Sequence, residues 1–258
     1  MKKLATALLM LLLVFGLGMT VAPDTVCHAA AATTKNGLKK ENGKYYYYKN
    51  GTKVKNTLKS VTVSDGTKAI YYFGSNGAAI VNTLKTIKVD GVSCRYYFGS
   101  NGKAYKNKWK TITSSAGKSY RYYFASNGRA ITDKVKTING YKYGFDSNSR
   151  MVTGVQVFND KFYFFNSSGK MNSTKTTKLR KASADGTDYR TTLKKLLKTY
   201  GVKLKKTINY GRGCGNGIDY AFVYQGFTVS VTVKDDTGSY ELTGVERGEA
   251  EELSDDLL

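Results

Sequence analysis

The stretch Tyr71-Tyr72-Phe73-Gly74-Ser75-Asn76-Gly77 is repeated without change at residues 96–102, and this repetition decides how the chain folds. Its two parts are a block of three aromatic residues and a turn residue four positions after the block. This pair recurs at six places, with turn residues at steps of 26, 25, 26, 21 and 20: Gly51, Gly77, Gly102, Gly128, Ser149 and Gly169. Such regularity indicates a tandem of small, similar units.

Local turn chemistry predicts what each unit is. Most turn residues follow an asparagine, and Asn-Gly favours tight turns because both residues tolerate a positive φ. A second motif, Asn-x-(Leu/Trp/Val)-Lys-(Thr/Ser)-(Ile/Val), begins at Asn56, Asn82 and Asn107, and Asp133 replaces its asparagine once. Further Asp-Gly or Asn-Gly turn signals follow it. Each unit is therefore predicted to be a β-hairpin, with the strands continuing as an antiparallel meander.

A single hairpin cannot bury an aromatic face, whereas stacked hairpins can share a continuous core. The predicted fold is mainly β: a β-hairpin-repeat solenoid followed by a small α+β domain, one helix on an antiparallel sheet. Within a block, the first and third residues point to one side and the middle residue to the other. Because the third residue is mostly Phe, its side is assigned to the core. The middle residues are predicted to face outward or into the groove between hairpins: Tyr46, Tyr72, Tyr97 and Tyr123.

From about Gly43 to Thr174 the repeats resemble the cell-wall-binding or choline-binding repeats, whose relatives include glucan-binding and toxin receptor-binding repeats. Segments 138–143 and 150–155 carry the resemblance best. It implies that aromatic residues of neighbouring repeats form a cage for a quaternary ammonium or a platform for a sugar ring. The family's cages rely on tryptophan, and an aliphatic side chain has no π face to attract a cation. The corresponding positions hold Leu58, Leu84, Trp109, Val135 and Val155, so sugar stacking is favoured over choline.

Two sets of site residues are predicted. Glycan stacking is assigned to aromatic residues: Tyr46, Tyr72, Tyr97, Trp109, Tyr123, Tyr143 and Tyr163. Attraction of an anionic polymer is assigned to the lysines of the second motif: Lys59, Lys85, Lys110 and Lys136.

The positive charge of the chain belongs to the repeats. From Lys35 to Lys178 there are 27 Lys and Arg residues against 6 acidic ones, whereas residues 179–258 hold 12 of each. Lysines can simply protect exposed strand edges, so a purely structural solenoid is an alternative. A strongly one-signed surface nevertheless attracts polyanions such as teichoic acids. Nucleic acid would fit basic and aromatic residues together, but expected export makes it an unexpected partner.

Residues 1–31 are predicted to be a removable signal peptide. Lys2 and Lys3 precede an apolar run, and small residues follow at Ala29 and Ala31, where cleavage is expected. The run is shorter than the roughly 20 residues that span a bilayer, and no longer apolar segment follows, so no membrane span is predicted. The chain is therefore expected to be secreted and to associate with the cell wall or cell surface.

Cleavage would also remove the only histidine of the chain, His28. Ser-His-Asp and Cys-His catalysis and histidine-ligated zinc each need an imidazole, so these are excluded for the mature chain. Cys94 and Cys214 would remain, and they are predicted to be separate thiols. No metal, other cofactor or catalytic residue is predicted.

The domain boundaries follow from these patterns. Six repeat units are placed at residues 36–174, a polar linker at 175–187, the α+β domain at 188–247 and an acidic tail at 248–258. Residues at helical spacing between Tyr189 and Tyr200 predict a helix of about three turns. Alternating apolar residues from Tyr220 to Val233, and again around Tyr240 to Val245, predict strands.

The predicted function is noncovalent, non-catalytic attachment to cell-wall glycan or a teichoic-acid-like polyanion, with a possible protein partner for the C-terminal domain. One alternative is a wall-targeted glycan hydrolase that uses a carboxylate pair. Its candidate acids are Asp185, Asp188, Asp219, Asp235 and Asp236. The other alternative is an adhesin or toxin-like receptor-binding protein. The glycine-rich run at 211–217 lacks the ending of a phosphate-binding loop and is interpreted as a loop or bulge.

Overall fold

The computed structural model describes residues 34–212 and 215–248, and it confirms a mainly β, hairpin-repeat fold. The predicted signal peptide, Cys214 and the tail from residue 249 onward lie outside the described residues. The repeat strands are β1 (Gly37–Glu41), β2 (Lys44–Lys49), β3 (Thr52–Lys53), β4 (Thr57–Thr62), β5 (Lys68–Phe73), β6 (Thr83–Val89), β7 (Val92–Phe98), β8 (Lys108–Thr113), β9 (Ser119–Phe124), β10 (Lys134–Ile138), β11 (Tyr141–Phe145), β12 (Gly154–Phe158) and β13 (Lys161–Phe165). The C-terminal elements are α1 (Ser173–Ala182), α2 (Leu193–Thr199), β14 (Leu204–Arg212), β15 (Gly217–Tyr224), β16 (Phe227–Lys234) and β17 (Tyr240–Arg247).

The repeat strands pair two by two into hairpins 1 to 6, and every pairing is antiparallel. Hairpin 1 is β1–β2, extended by β3, and hairpins 2 to 6 are β4–β5, β6–β7, β8–β9, β10–β11 and β12–β13. From hairpin 2 onward each hairpin closes at the turn signal that precedes its aromatic block. The predicted continuous meander is therefore replaced by separate small sheets.

The turn after each aromatic block has a different task, which is to link one hairpin to its neighbours. In hairpin 2, Ala79 forms a bridge with Phe73, and its N–H donates to the carbonyl of Tyr45 in hairpin 1. The asparagine that opens the next strand then adopts a left-handed conformation, as Asn82 does at φ 48°. Its N–H donates to the Gly99 carbonyl in the following turn. The same pattern recurs at Asn56, Asn107 and Asp133, which explains why the second motif begins with these residue types.

Hairpins 2 to 5 each bury both faces, one against the preceding hairpin and one against the next. Tyr71 and Phe73 are fully buried against hairpin 1, as predicted for the first and third residues of a block. The middle residue, Tyr72, pairs with Leu58 across the hairpin, and both pack on hairpin 3 near Phe98. The middle tyrosines therefore lie between hairpins. The free thiol of Cys94 is buried in this same core.

Hairpin 1 differs in phase from the other hairpins. Tyr47, and not Tyr46, pairs with Leu38 and packs against Phe73, and the Val54 N–H donates to its carbonyl as Ile80 does to Tyr72. The turn at Gly51 is one residue shorter than the turns that follow. The aromatic block of hairpin 1 therefore matches the later blocks in position only when it is counted from Tyr46 and not from Tyr45. Since a shift of one residue exchanges the two faces of a strand, Tyr46 faces away from hairpin 2.

The C-terminal region continues the core of the repeats. Val157 and Phe162 of hairpin 6 share one cluster with Leu193, Leu197 and Phe227. The sheet has the order β14-β15-β16-β17, of which β14 was not predicted. Helix α2 is shorter than the predicted three turns, and none of the helices in the described residues is long and apolar enough to cross a membrane.

Helix α1 occupies much of the segment that the sequence analysis interpreted as a linker. The side chain of Asn172 caps its first turn by accepting the Lys175 N–H at 2.9 Å. The Thr176 hydroxyl accepts the Phe164 N–H, which ties the helix to β13. Only Thr176 and Leu179 of this helix are buried, which is why its apolar pattern is weak in the sequence.

Candidate functional site

Three of the lysines predicted to attract polyanions lie on tyrosine rings between hairpins. The ammonium of Lys59 is 4.7 Å from the ring centroid of Tyr47. Lys85 lies 4.8 Å from the Tyr72 ring, and Lys110 lies 4.8 Å from the Tyr97 ring. In each case the lysine reaches from its own hairpin to one ring of the preceding hairpin: the middle residue of the block for Lys85 and Lys110, and Tyr47, which has the equivalent place in hairpin 1, for Lys59. The ring face attracts the cation and holds it in place.

These contacts join residues of the two predicted sets, the stacking aromatic residues and the polyanion-binding lysines, in pairs. The rings of Tyr72 and Tyr97 were predicted to stack on sugar, and Lys85 and Lys110 to attract charge, as separate functions. The structure pairs them, and Tyr97 is only 7% exposed. A sugar that stacked on these ring faces would have to displace the ammonium groups.

Three predicted site residues, Trp109, Tyr123 and Tyr143, come together at the junction of hairpins 4 and 5. The ring centroid of Trp109 is 5.1 Å from that of Tyr123 and 4.9 Å from that of Tyr143, both in edge-to-face contacts. The Arg121 guanidinium lies 4.1 Å from the indole, and Phe145 stacks on the indole at 5.8 Å. Tyr143 is buried. The cluster is therefore packed on several sides by the protein itself.

The remaining predicted residues lie apart from one another. Lys53 covers the Tyr46 ring at 3.6 Å, and the Arg180 guanidinium covers Tyr163 at 4.4 Å. Lys136 is exposed, unlike the half-buried lysines at the equivalent positions. Whether any of these rings or lysines binds a ligand stays a prediction.

The sequence analysis missed a second row of cations, formed by the residue that follows each turn residue. It is basic in four successive repeats: Lys103, Arg129, Arg150 and Lys170. The Arg129 Nε donates to the Tyr96 hydroxyl at 3.2 Å, and Lys170 lies 3.5 Å from the Tyr141 ring. The signal was present in the sequence as a fixed position after the turn residue, but nothing local showed that these side chains reach the preceding hairpin.

Acidic residues of the repeats have structural partners. At the N-terminal end of the stack, Glu41 accepts hydrogen bonds from Lys35 at 2.7 Å and from the Tyr48 hydroxyl at 2.9 Å. The Lys35 hydrogen bond and then the Tyr48 hydrogen bond lower the pKa of Glu41 to about 2. Lys53 adds a third contact at 3.4 Å. This cluster covers the outer side of Tyr48, where no earlier hairpin packs.

Most candidate acids of the C-terminal region also have partners. Asp219 accepts from the Thr232 hydroxyl at 2.6 Å, and Asp235 pairs with Arg212 at 2.6 Å. A hydrogen bond from the Thr191 backbone lowers the pKa of Asp188. These are turn and strand roles. Among residues 34–212 and 215–248, no three His, Cys, Asp or Glu side chains are grouped so that they could hold a metal ion.

One segment of the stacked hairpins matches a known family model. Residues 155–171, which cover hairpin 6 except Gly154 and the turn that follows it, match the family model of a cell wall binding repeat. The match is limited to this one repeat. No curated protein sequence matches the chain.

Several solved structures align with the chain at low identity and low TM-score. The multimodular pneumococcal cell wall endolysin from phage Cp-1, solved with choline, is 20% identical over 54% of this chain and 37% of its own, with a TM-score of 0.32. Choline binding protein F from Streptococcus pneumoniae is 22% identical over 54% of this chain and 52% of its own, with a TM-score of 0.22.

A truncated alternansucrase from Leuconostoc mesenteroides is 17% identical over 73% of this chain and 15% of its own, with a TM-score of 0.27. The chain therefore spans between 15 and 52% of the length of these three proteins. At such TM-scores, the likenesses support no statement about activity or ligands.

Proposed function

We propose that the chain is exported and attaches noncovalently, without catalysis, to the glycan or the teichoic-acid-like polymer of a bacterial cell wall. The observation that carries the proposal is the cell wall binding repeat at residues 155–171, which is the last of six stacked hairpins of the same design. A tandem of such repeats presents the same contacts several times, which raises the strength of attachment to a polymer.

The arrangement of cations favours the anionic polymer over the neutral glycan as the main contact. Ring faces predicted to stack on sugar are covered by Lys85 and Lys110, whereas the surface of the repeats has 27 basic residues against 6 acidic ones in residues 35–178. Ordered cations on an elongated surface attract polyanions, and salt weakens that attraction. Wall binding is therefore expected to be strong at low salt and to weaken as salt increases.

Sedimentation of the full chain with purified Gram-positive cell walls over a salt series tests the proposal. The expected result is retention at low ionic strength with progressive release. If the full chain stayed in the supernatant with walls at low salt, the proposed attachment would be contradicted. Release of soluble sugar from the walls during the same incubation would show that the protein is an enzyme instead, and sequencing the N-terminus of the secreted protein tests export through the predicted signal peptide.

A further inference from the structure

Four basic residues occupy one structural position in the turns that follow hairpins 3 to 6. They are Lys103, Arg129, Arg150 and Lys170. Each backbone N–H donates to a side-chain oxygen of the same turn: to Asn101 at 3.1 Å, Asn127 at 3.0 Å, Asp146 at 2.7 Å and Asn166 at 2.9 Å. The turn therefore sets where each side chain starts, and repetition of the hairpins sets the interval between them.

The heads of three of these side chains are held on the preceding hairpin. Arg129 donates to the Tyr96 hydroxyl, the Arg150 guanidinium lies 3.8 Å from the Tyr120 ring, and Lys170 lies 3.5 Å from the Tyr141 ring. Lys103 lines, together with Tyr71, a cavity of about 360 Å³. All four cations thus lie beside an aromatic strand one repeat earlier, and the contacts of Arg129, Arg150 and Lys170 restrict their rotamers before any ligand binds.

No acidic residue neutralises these heads at close range. In the described part of the chain, the ion pairs within salt-bridge distance all involve other basic residues. Asp65 interacts with Lys103, and Asp90 with Arg129, only through weaker, longer-range electrostatics; Asp146 acts in the same way on Arg150. Within the described residues, the four charges are therefore not neutralised by an ion pair, and all four side chains are half-buried.

We infer that Lys103, Arg129, Arg150 and Lys170 form a track, called here the turn track, that binds a linear phosphodiester polymer of the cell wall. The four cations belong to successive repeats, so a polymer that carries many phosphates can contact several of them at once. Cations that are already ordered lose little conformational entropy on binding. A small single anion lacks this multiple contact, so a polymer is the favoured ligand. This inference rests on the proposed attachment to the wall.

The turn track has a gap at its N-terminal end. In the turn after hairpin 2, the position equivalent to Lys103 is occupied by Ala78. In hairpin 1 the equivalent position is occupied by Thr52. Beside Ala78 lies a cavity of about 660 Å³, lined by Lys44 and Tyr45 among others. The space is large enough to receive a longer side chain, so Ala78→Lys is expected to extend the track by one charge.

The test compares two variants of equal charge in binding to purified poly(glycerol phosphate) at low salt. In the track variant, Lys103, Arg129, Arg150 and Lys170 are all changed to Gln. The control variant changes four exposed lysines that make no ring contact in the described structure: Lys88, Lys134, Lys142 and Lys161. Single surface charge contacts are weak, so losing four is expected to weaken binding about 10- to 100-fold, against less than about threefold for the control.

The outcomes separate the track from the wider proposal. Equal weakening in both variants, or no weakening in the track variant, overturns the track while leaving attachment to walls intact. Retention on walls stripped of anionic polymer, at the level seen on intact walls, overturns it too and assigns the contact to glycan. Tighter binding to duplex DNA than to poly(glycerol phosphate) also overturns it. Failure of the wild type to bind any wall refutes the proposed function itself.

A gain-of-function variant keeps the test decisive if the track variant is unstable. Ala78→Lys is expected to strengthen binding to poly(glycerol phosphate) by about two- to fivefold, the effect of one added surface contact. Ala78→Gln fills similar space without the charge and is expected to leave affinity unchanged. An equal effect of both substitutions would refute the role of charge at this position.

Discussion

Replacing Gly144 by alanine should destabilise the junction of hairpins 5 and 6. In hairpin 5 this glycine takes the middle place of the aromatic block, where Tyr72 stands in hairpin 2. A Cβ at residue 144 would lie 2.7 and 2.8 Å from carbons of the Phe165 ring and 2.9 Å from the Phe158 ring. All three distances are shorter than packed carbon atoms allow. The two rings, or the backbone of β11, would have to move.

The size of the effect follows from two opposing contributions. Forcing extra volume into a packed core costs about 1–3 kcal/mol. Replacing glycine by alanine also restricts the unfolded chain, which stabilises the fold by about 0.4–1 kcal/mol. The net expectation for Gly144→Ala is a loss of about 1–2 kcal/mol, and a tyrosine at this position should cost more.

The single tryptophan of the chain makes a suitable reporter. Trp109 contacts Tyr143 and Phe145, which flank Gly144, so its fluorescence during urea unfolding follows this junction. Gly74→Ala is the matched control, since a Cβ there meets its nearest atoms at 3.7 Å, an ordinary contact. The control should be as stable as the wild type or slightly more stable. If Gly144→Ala unfolds at the wild-type urea concentration, or if both variants are destabilised equally, the steric argument is wrong.

Two further predictions concern titrating groups. Burial and then the hydrogen bond with Tyr224 raise the pKa of Tyr189, so the folded state keeps a phenol that the unfolded chain ionises near pH 10. The contribution of this group to stability is present below about pH 10 and is lost progressively above it. Tyr189→Phe leaves the buried Tyr224 hydroxyl without its partner and should lower the free energy of unfolding by about 1–3 kcal/mol, measured by thermal or urea unfolding. The pKa of Glu41, held at about 2 first by Lys35, should appear in an NMR titration of its carboxyl carbon. The contacts of ionised Glu41 are fully present above the usual glutamate pKa and are lost as pH falls through about 2. A titration midpoint of the carboxyl carbon near about 4.3 would contradict the hydrogen bonds. Lys35→Met should raise the pKa of Glu41.

Several features of the fold could be predicted because they depend on residues close together in the sequence. Asn-Gly turns, the alternation of the aromatic blocks and the burial of Phe73 and its equivalents all depend on local geometry. The charge of the repeats could be counted directly from the sequence. The resemblance to cell-wall-binding repeats rested on the same local motifs, and the family match at residues 155–171 agrees with it.

Other features depended on contacts that no local pattern specifies. The phase of hairpin 1 changed because one turn is a residue shorter, which puts Tyr47 where Tyr46 was expected. The need for glycine at residue 144 arises from the approach of Phe165 and Phe158, which belong to the next hairpin. Helix α1 buries so few apolar residues that its sequence resembles a linker, and its position is set by packing on β13.

The sequence by itself determined the unit of this protein: an aromatic hairpin, repeated six times and rich in basic residues. The tertiary structure decided which ring meets which cation. Lys85 reaches Tyr72, and Arg129 reaches Tyr96, only because hairpins about 20 to 26 residues apart in sequence stack face to face. Turn and strand preferences act over a few residues, whereas the partner of a long side chain depends on how whole hairpins pack. The arrangement of these rings and cations could therefore come only from the folded chain.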